Sequence, residues 1–261
     1  MKITQDFATT SACYKAGTTI NPKGLMLHSV GVNQPDPKVF ARIWKSSDDV
    51  CCHGVLGADG TVIQTLPWNW RGWHCGGSAN GTHIGVEMTE PSTIRYTGGA
   101  SFVDNNPTAT KNFVMGTYKT AVELFAYLCK IYNLNPLSNG VIVSHSEGYK
   151  RGIASGHADV EHIWNKYGLT MDQFRKDVKS AISGGNTDPA PDIKPDVKPD
   201  SSYVVRISID DLNIRTGPGT EYPVTGNYTG KGAFTITETN GNWGKLKSGA
   251  GWIYLAYAEK I

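Results

Sequence analysis

Residues 141–159 read VIVSHSEGYKRGIASGHAD, and the fold is legible outward from them. Val141, Ile142 and Val143 run into Ser144-His145, a pattern that predicts a short buried strand ending in a histidine. A Gly-rich, basic loop follows (Gly148, Arg151, Gly152, Gly156), then His157-Ala158-Asp159. Two histidines and an aspartate therefore gather around one loop. Imidazole nitrogen and carboxylate oxygen are donors that Zn²⁺ accepts, and a catalytic zinc commonly takes three protein ligands and keeps one position open. The remaining donor must come from elsewhere. LMLHS, residues 25–29, is a second apolar run ending in a histidine and puts His28 forward. The chain has seven histidines (28, 53, 74, 83, 145, 157 and 162), so several must serve other ends. No HExxH or CxxC motif is present to settle the choice.

Around these two runs, strand and helix patterns alternate. Leu25–Val30 is a predicted strand and Asp36–Asp48 a predicted helix with Val39, Phe40, Ile43 and Trp44 on one face. Ala58-Asp59-Gly60 marks a hairpin turn, with Val62, Ile63 and Leu66 in the returning strand. WNWRGWHCGG, residues 68–77, is an aromatic Gly-rich loop of a kind that lines sites. In the predicted strand His83–Met88, Ile84, Val86 and Met88 face one side and His83, Gly85 and Glu87 the other. A carboxylate there is either solvent-facing or a general base on the sheet's active face. Residues 97–107 read as a polar loop, Thr108–Tyr132 as a long core helix and Thr170–Ser183 as a last helix. Residues 1–24 read as an extended or looped lead-in. The result is a mixed α/β domain over 1–183.

The composition changes at Gly184. GGNTDPAPDIKPDVKPD is Pro- and Asp-rich and predicts an extended spacer over 184–201. Residues 202–261 carry short alternating runs broken by Gly and Pro, which predicts a small all-β barrel. Net charge is only +2, so no electrostatic footprint for nucleic acid exists, and no run is long enough to predict membrane insertion. The opening MKITQDFATTSACYKAG lacks an apolar stretch of signal-peptide length, which predicts synthesis without a cleavable export signal. The five cysteines have no disulfide-framework spacing and are expected as buried thiols.

Residues 20–183 resemble zinc-dependent N-acetylmuramoyl-L-alanine amidases related to peptidoglycan recognition proteins. LMLHS resembles the family's first ligand strand, CHGVLGADGTVIQ its hairpin, GWHCG its Trp-His loop, HIGVEM its glutamate strand, and SHSE with HAD its later ligand segment. LNIRTGPG (212–219), NWGKL and GWIY resemble bacterial SH3 (SH3b) domains, which tether lytic enzymes to cell walls.

The resemblance implies hydrolysis of the amide between N-acetylmuramic acid and L-alanine in Gram-positive peptidoglycan. It implies zinc on His28, His145 and Asp159, with Glu87 and His157 as the catalytic pair. His157 and Asp159 remain interchangeable as third ligand at this stage, and His162 competes. His53, Trp73 and His74 are expected to line the cleft. In the tail, Tyr222, Trp243, Trp252 and Tyr254 are the candidate wall-binding aromatics, with Tyr222 expected to be exposed and Trp243 or Trp252 expected in the core instead. The whole looks like a phage endolysin: a monomer made in the host cytoplasm that acts on the extracellular wall. Two other readings compete. One is a recognition module that binds peptidoglycan without cutting it. The other is a cysteine-dependent amidase or endopeptidase, which needs a Cys nucleophile with a His partner in space; the adjacency of Cys52-His53 and of His74-Cys75 in sequence is no evidence for one.

Overall fold

The computed structural model describes residues 1–184 and 202–261. The predicted spacer, 184–201, lies outside the described residues after its first position. The chain divides into two compact units, with the boundary inside that stretch.

The first unit contains β1 (Lys2–Gln5), α1 (Ala12–Ala16), β2 (Gly24–Ser29), α2 (Pro37–Trp44), β3 (Gly54–Leu56) and β4 (Thr61–Gln64). It continues with β5 (His83–Met88), β6 (Ile94–Gly98), β7 (Ser101–Asp104), α3 (Pro107–Ile131) and β8 (Ile142–Ser144). Then come α4 (His145–Lys150), α5 (Glu161–Trp164) and α6 (Met171–Ser183). Six strands form one sheet in the order β1-β4-β3-β5-β2-β8. Only the β3–β4 hairpin is antiparallel; every other pair is parallel. Its turn fits its residues: Asp59 Oδ1 accepts the Thr61 N–H at 3.0 Å, and Gly60 takes φ +86°, where a side chain is disfavoured.

Alternation along the strands builds two cores. Leu56, Val62, Ile84 and Val86 pack with α3 and α6, while Val55 and Ile63 pack with Phe40, Ala41 and Trp44 of α2. On the first side Phe174 of α6 is fully buried, with the rings of Tyr118, Phe125 and Trp164 at 5.6, 5.2 and 5.4 Å. Burying one such side chain stabilises by ~1.5–3 kcal/mol. The long helix starts where Asn106 caps Ala109 N–H and Pro107 occupies the first turn.

Several sequence expectations need correction. The lead-in is extended only at its start, where β1 pairs in parallel with β4; it then forms the short helix α1, capped by Ser11. Helix α2 stops at Trp44, and Ile43 is 52% exposed, because the buried face runs through Pro37, Phe40, Ala41 and Trp44. Residues 97–107 are not a plain loop. β6 and β7 form a hairpin around Gly98-Gly99, with Phe102 buried and Tyr96 half-buried. The segment after His145 begins as helix α4, set by a capping box in which Ser144 and Glu147 each bond the other's backbone N–H.

The second unit contains β9 (Tyr203–Ile207), β10 (Asn213–Arg215), β11 (Val224–Tyr228), β12 (Gly232–Asn240), β13 (Trp243–Leu246), β14 (Trp252–Tyr254) and β15 (Ala258–Lys260). They pair antiparallel in the order β11-β10-β14-β13-β12-β9-β15. Val205, Ile207, Leu212, Ile214, Ile236, Leu246 and Ile253 form its core. The two end strands are not paired with each other, so among the described residues this is an all-β sheet rather than a closed barrel. Among the described residues no helix is long and apolar enough to cross a membrane.

Candidate metal centre and active site

Three neighbouring parallel strands deliver the site from their C-terminal ends. In register, Leu27 of β2 pairs with Ser144 of β8, and His28 pairs with Glu87 of β5. His28, Glu87 and the residue just past β8, His145, therefore come out side by side where parallel sheets place ligands. The 157–159 segment is brought to them by a backbone bond from Ser146 N–H to the Asp159 carbonyl at 2.9 Å. Ser29 N–H reaches Asp159 Oδ2 at 3.4 Å.

The donors form a triangle. His28 Nδ1 lies 3.0 Å from His145 Nδ1, and Asp159 Oδ2 lies 3.5 and 3.6 Å from these two nitrogens. Ligands about 2.0–2.1 Å from a tetrahedral ion stand ~3.3 Å apart, so the spacing fits zinc. The donor chemistry fits too: two imidazoles and a carboxylate, the histidines buried and the aspartate nearly so. Burial would raise the Asp159 carboxyl, but the two imidazoles beside it, His145 and His28, outweigh burial and hold the group below its ordinary range. Burial lowers His28. The geometry thus groups Asp159, not His157, with the two histidines.

The cleft around the triangle has a volume of about 810 Å³. Glu87 lines it. Its Oε1 accepts from the Cys52 thiol at 3.5 Å, while its enclosed Oε2 has no hydrogen-bond partner. Burial first, and the Asp159 charge second, push the Glu87 carboxyl well above its ordinary range. His157 stands exposed on the rim, with Nδ1 3.0 Å from His145 Nε2 and 3.2 Å from Ser155 Oγ. His162 does not join the triangle. Its Nε2 meets Tyr96 Oη at 2.7 Å, and Tyr96 donates to Glu90 Oε2 at 2.7 Å. Burial raises Glu90 to about 7. This trio was missed in the sequence because Tyr96 sits on the unexpected hairpin; the Gly98-Gly99 turn was the available signal.

The other expected cleft residues divide. His74 borders the cleft but is 7% exposed and lies behind His28, Nδ1 to Nε2 at 2.9 Å. His53 is wholly buried. Its Nδ1 accepts the Gly85 N–H at 3.0 Å and its Nε2 donates to the Trp70 carbonyl at 2.6 Å, so its expected place at the cleft is corrected to a structural one. Trp73 is not among the cleft's lining residues; it pairs with Cys51 through the backbone and packs on the α2 core. The cysteine-nucleophile reading also fails on geometry. All five thiols are buried, Cys52 contacts Glu87 rather than His53, and burial pushes the Cys52 and Cys75 thiols up, away from the reactive thiolate.

Residues 18–166 match the N-acetylmuramoyl-L-alanine amidase family. The chain is 30% identical over 95 residues to the N-acetylmuramoyl-L-alanine amidase XlyA of Bacillus subtilis (strain 168), a match covering 34% of this chain and 32% of that protein. It therefore spans about a third of that curated relative's length. In fold it is similar to the Staphylococcus aureus hydrolase AmiA, solved in complex with its ligand (TM-score 0.53, 18% identity, 72% of this chain and 88% of that one). It is also similar in fold to a mutant of PlyL (TM-score 0.51, 20% identity, 69% and 99%). The family match takes in more than half of the 261 residues, and by it this chain belongs to the N-acetylmuramoyl-L-alanine amidase family.

Proposed function

We propose that the first unit hydrolyses the amide between N-acetylmuramic acid and L-alanine of Gram-positive peptidoglycan, with zinc held by His28, His145 and Asp159. The observation that carries this is the donor triangle with an enclosed, unpartnered Glu87 oxygen in the same cleft. A recognition module that does not cut would need neither the third donor nor that carboxylate. Zinc, when bound, supplies Lewis acidity that polarises a carbonyl and lowers the pKa of water.

The chain's own groups handle the protons. Glu87 Oε2 takes one from the attacking water and returns it to the leaving amine. A carboxyl that burial pushes above its ordinary range holds a proton more readily than a free one, which suits its passing that proton on to the amine. His145 directs its Nε2–H toward His157 Nδ1, which leaves the His157 proton on Nε2. That N–H, on the cleft rim, donates to the oxyanion; one such donor is typically worth ~10²–10³ in rate. Mass spectrometry of digested walls tests the reading: new L-alanine amino termini on stem peptides released from an otherwise intact glycan support it. Inhibition by thiol reagents but not by chelators would oppose it.

The second unit we assign to wall binding as an SH3b domain. It has a groove of about 700 Å³ lined by Trp243, Tyr254 and Tyr257 together with Asp211, Arg215 and Glu221. The rings follow one another, Trp243 to Tyr254 at 5.2 Å and Tyr254 to Tyr257 at 6.1 Å. Aromatic faces give large contact area at low entropic cost. Trp252 is 8% exposed and belongs to the core; Tyr222 is 41% exposed but outside the groove. Tyr257→Ala should weaken wall pelleting of residues 202–261 and leave the thermal midpoint unchanged, whereas Trp252→Ala should lower the midpoint. Loss of pelleting with Tyr222→Ala alone would put the binding surface outside the groove.

Residues 1–183 alone should cleave soluble peptidoglycan fragments at near full rate and intact walls poorly, because tethering raises local concentration. Residues 202–261 should pellet with walls and cleave nothing. A 1–183 fragment equally active on both substrates would show that the tail contributes no tethering.

A further inference from the structure

We infer that His74 is a positioning residue of the metal centre, holding His28 in the one tautomer whose Nδ1 is open to an ion; the inference rests on reading His28, His145 and Asp159 as that centre. The argument is a count of protons. His74 Nε2 lies 3.1 Å from the His83 carbonyl oxygen. A carbonyl only accepts, so Nε2 carries the proton, and a neutral imidazole then has a bare lone pair on Nδ1. No carboxylate contacts His74, among the described residues, to favour a second proton. His74 Nδ1 is 2.9 Å from His28 Nε2, so His28 must donate there. The His28 proton is thereby fixed on Nε2, and Nδ1 faces His145 and Asp159 unprotonated. The opposite tautomer of His28 would turn the His74 lone pair onto the His83 carbonyl.

The ring is held for this task from several sides. The backbone N–H groups of His74 and Cys75 both donate to Asn80 Oδ1, at 2.9 and 3.0 Å. A Cβ on Gly85 would stand 2.3 Å from the His74 ring and one on Gly72 2.9 Å, so glycine at both positions leaves the slot. A side chain that merely filled space would need neither polar contact. The same short segment also touches the other ligand: Ser155 donates its hydroxyl to the Cys75 carbonyl at 3.1 Å and holds its oxygen 3.3 Å from His145 Nε2.

Two measurements on the full chain decide the matter. Long-range proton–nitrogen NMR of the metal-free protein should show His28 and His74 both protonated on Nε2; a His28 signal with the proton on Nδ1 overturns the inference, and this reading needs no variant. Zinc affinity by chelator competition should fall 10–100-fold in His74→Leu, the usual range for losing a group behind a ligand. His74→Gln, whose amide restores one donor and one acceptor, should recover most of it. A folded His74→Leu protein that binds zinc as tightly as the wild type also overturns the inference. A wild-type chain that takes up no zinc overturns the centre itself, a result distinct from both.

Discussion

His145→Ala is expected to abolish both zinc retention and wall hydrolysis, and His28→Ala to do the same. Each removes one corner of a three-donor triangle whose sides are 3.0, 3.5 and 3.6 Å. Losing a group behind a ligand costs 10–100-fold in affinity, so losing a ligand should exceed ~100-fold. The fold should survive, because His145 follows β8 and its backbone role at the start of α4 does not depend on the ring. Zinc content by elemental analysis, beside circular dichroism, checks the outcome. Stoichiometric zinc and full activity in either variant would remove these residues from the centre.

Glu87→Gln should keep zinc and fold but lose ~10²–10⁴ in turnover, the range for one general acid–base group. Glutamine nearly preserves the shape and can still accept from the Cys52 thiol. Only the proton-accepting oxygen is lost. The buried carboxyl is costly to ionise where it stands, so its removal should leave the thermal midpoint unchanged or slightly higher. Wild-type turnover in this variant would make Glu87 a structural residue.

The chemistry of this site was more legible in the chain than its scaffold. Apolar runs that end abruptly in a histidine announced His28 and His145, and period-2 alternation turned Glu87 away from the core side holding Ile84, Val86 and Met88. Both signals are local, so one strand suffices to read them. What escaped depends on contacts distant in sequence. His74 and His53 look alike from their neighbours, yet one meets His28 across 46 residues and the other closes on Gly85 and Trp70. Tyr96 reaches His162 across 66 residues from a hairpin whose polar, Gly-rich composition resembles a loop. The start of α4 was missed although its Ser-x-x-Glu signal was present, because the glycines after it drew the reading toward irregular chain.

His53 also makes the first unit sensitive to acid. Its Nδ1 is occupied as an acceptor by the Gly85 N–H, so a proton arriving there meets another donor and must break that bond. Burial pulls the imidazole down to about 4, against an ordinary value of 6.5. Between those values the unfolded chain binds a proton that the folded one refuses, so stability falls as pH drops through that window and recovers above it. The difference amounts to about 3 kcal/mol at 1.36 kcal/mol per pKa unit, a large share of a domain's total stability. In an acidified medium this one buried imidazole should therefore lower the thermal midpoint of the first unit, whatever the supply of metal.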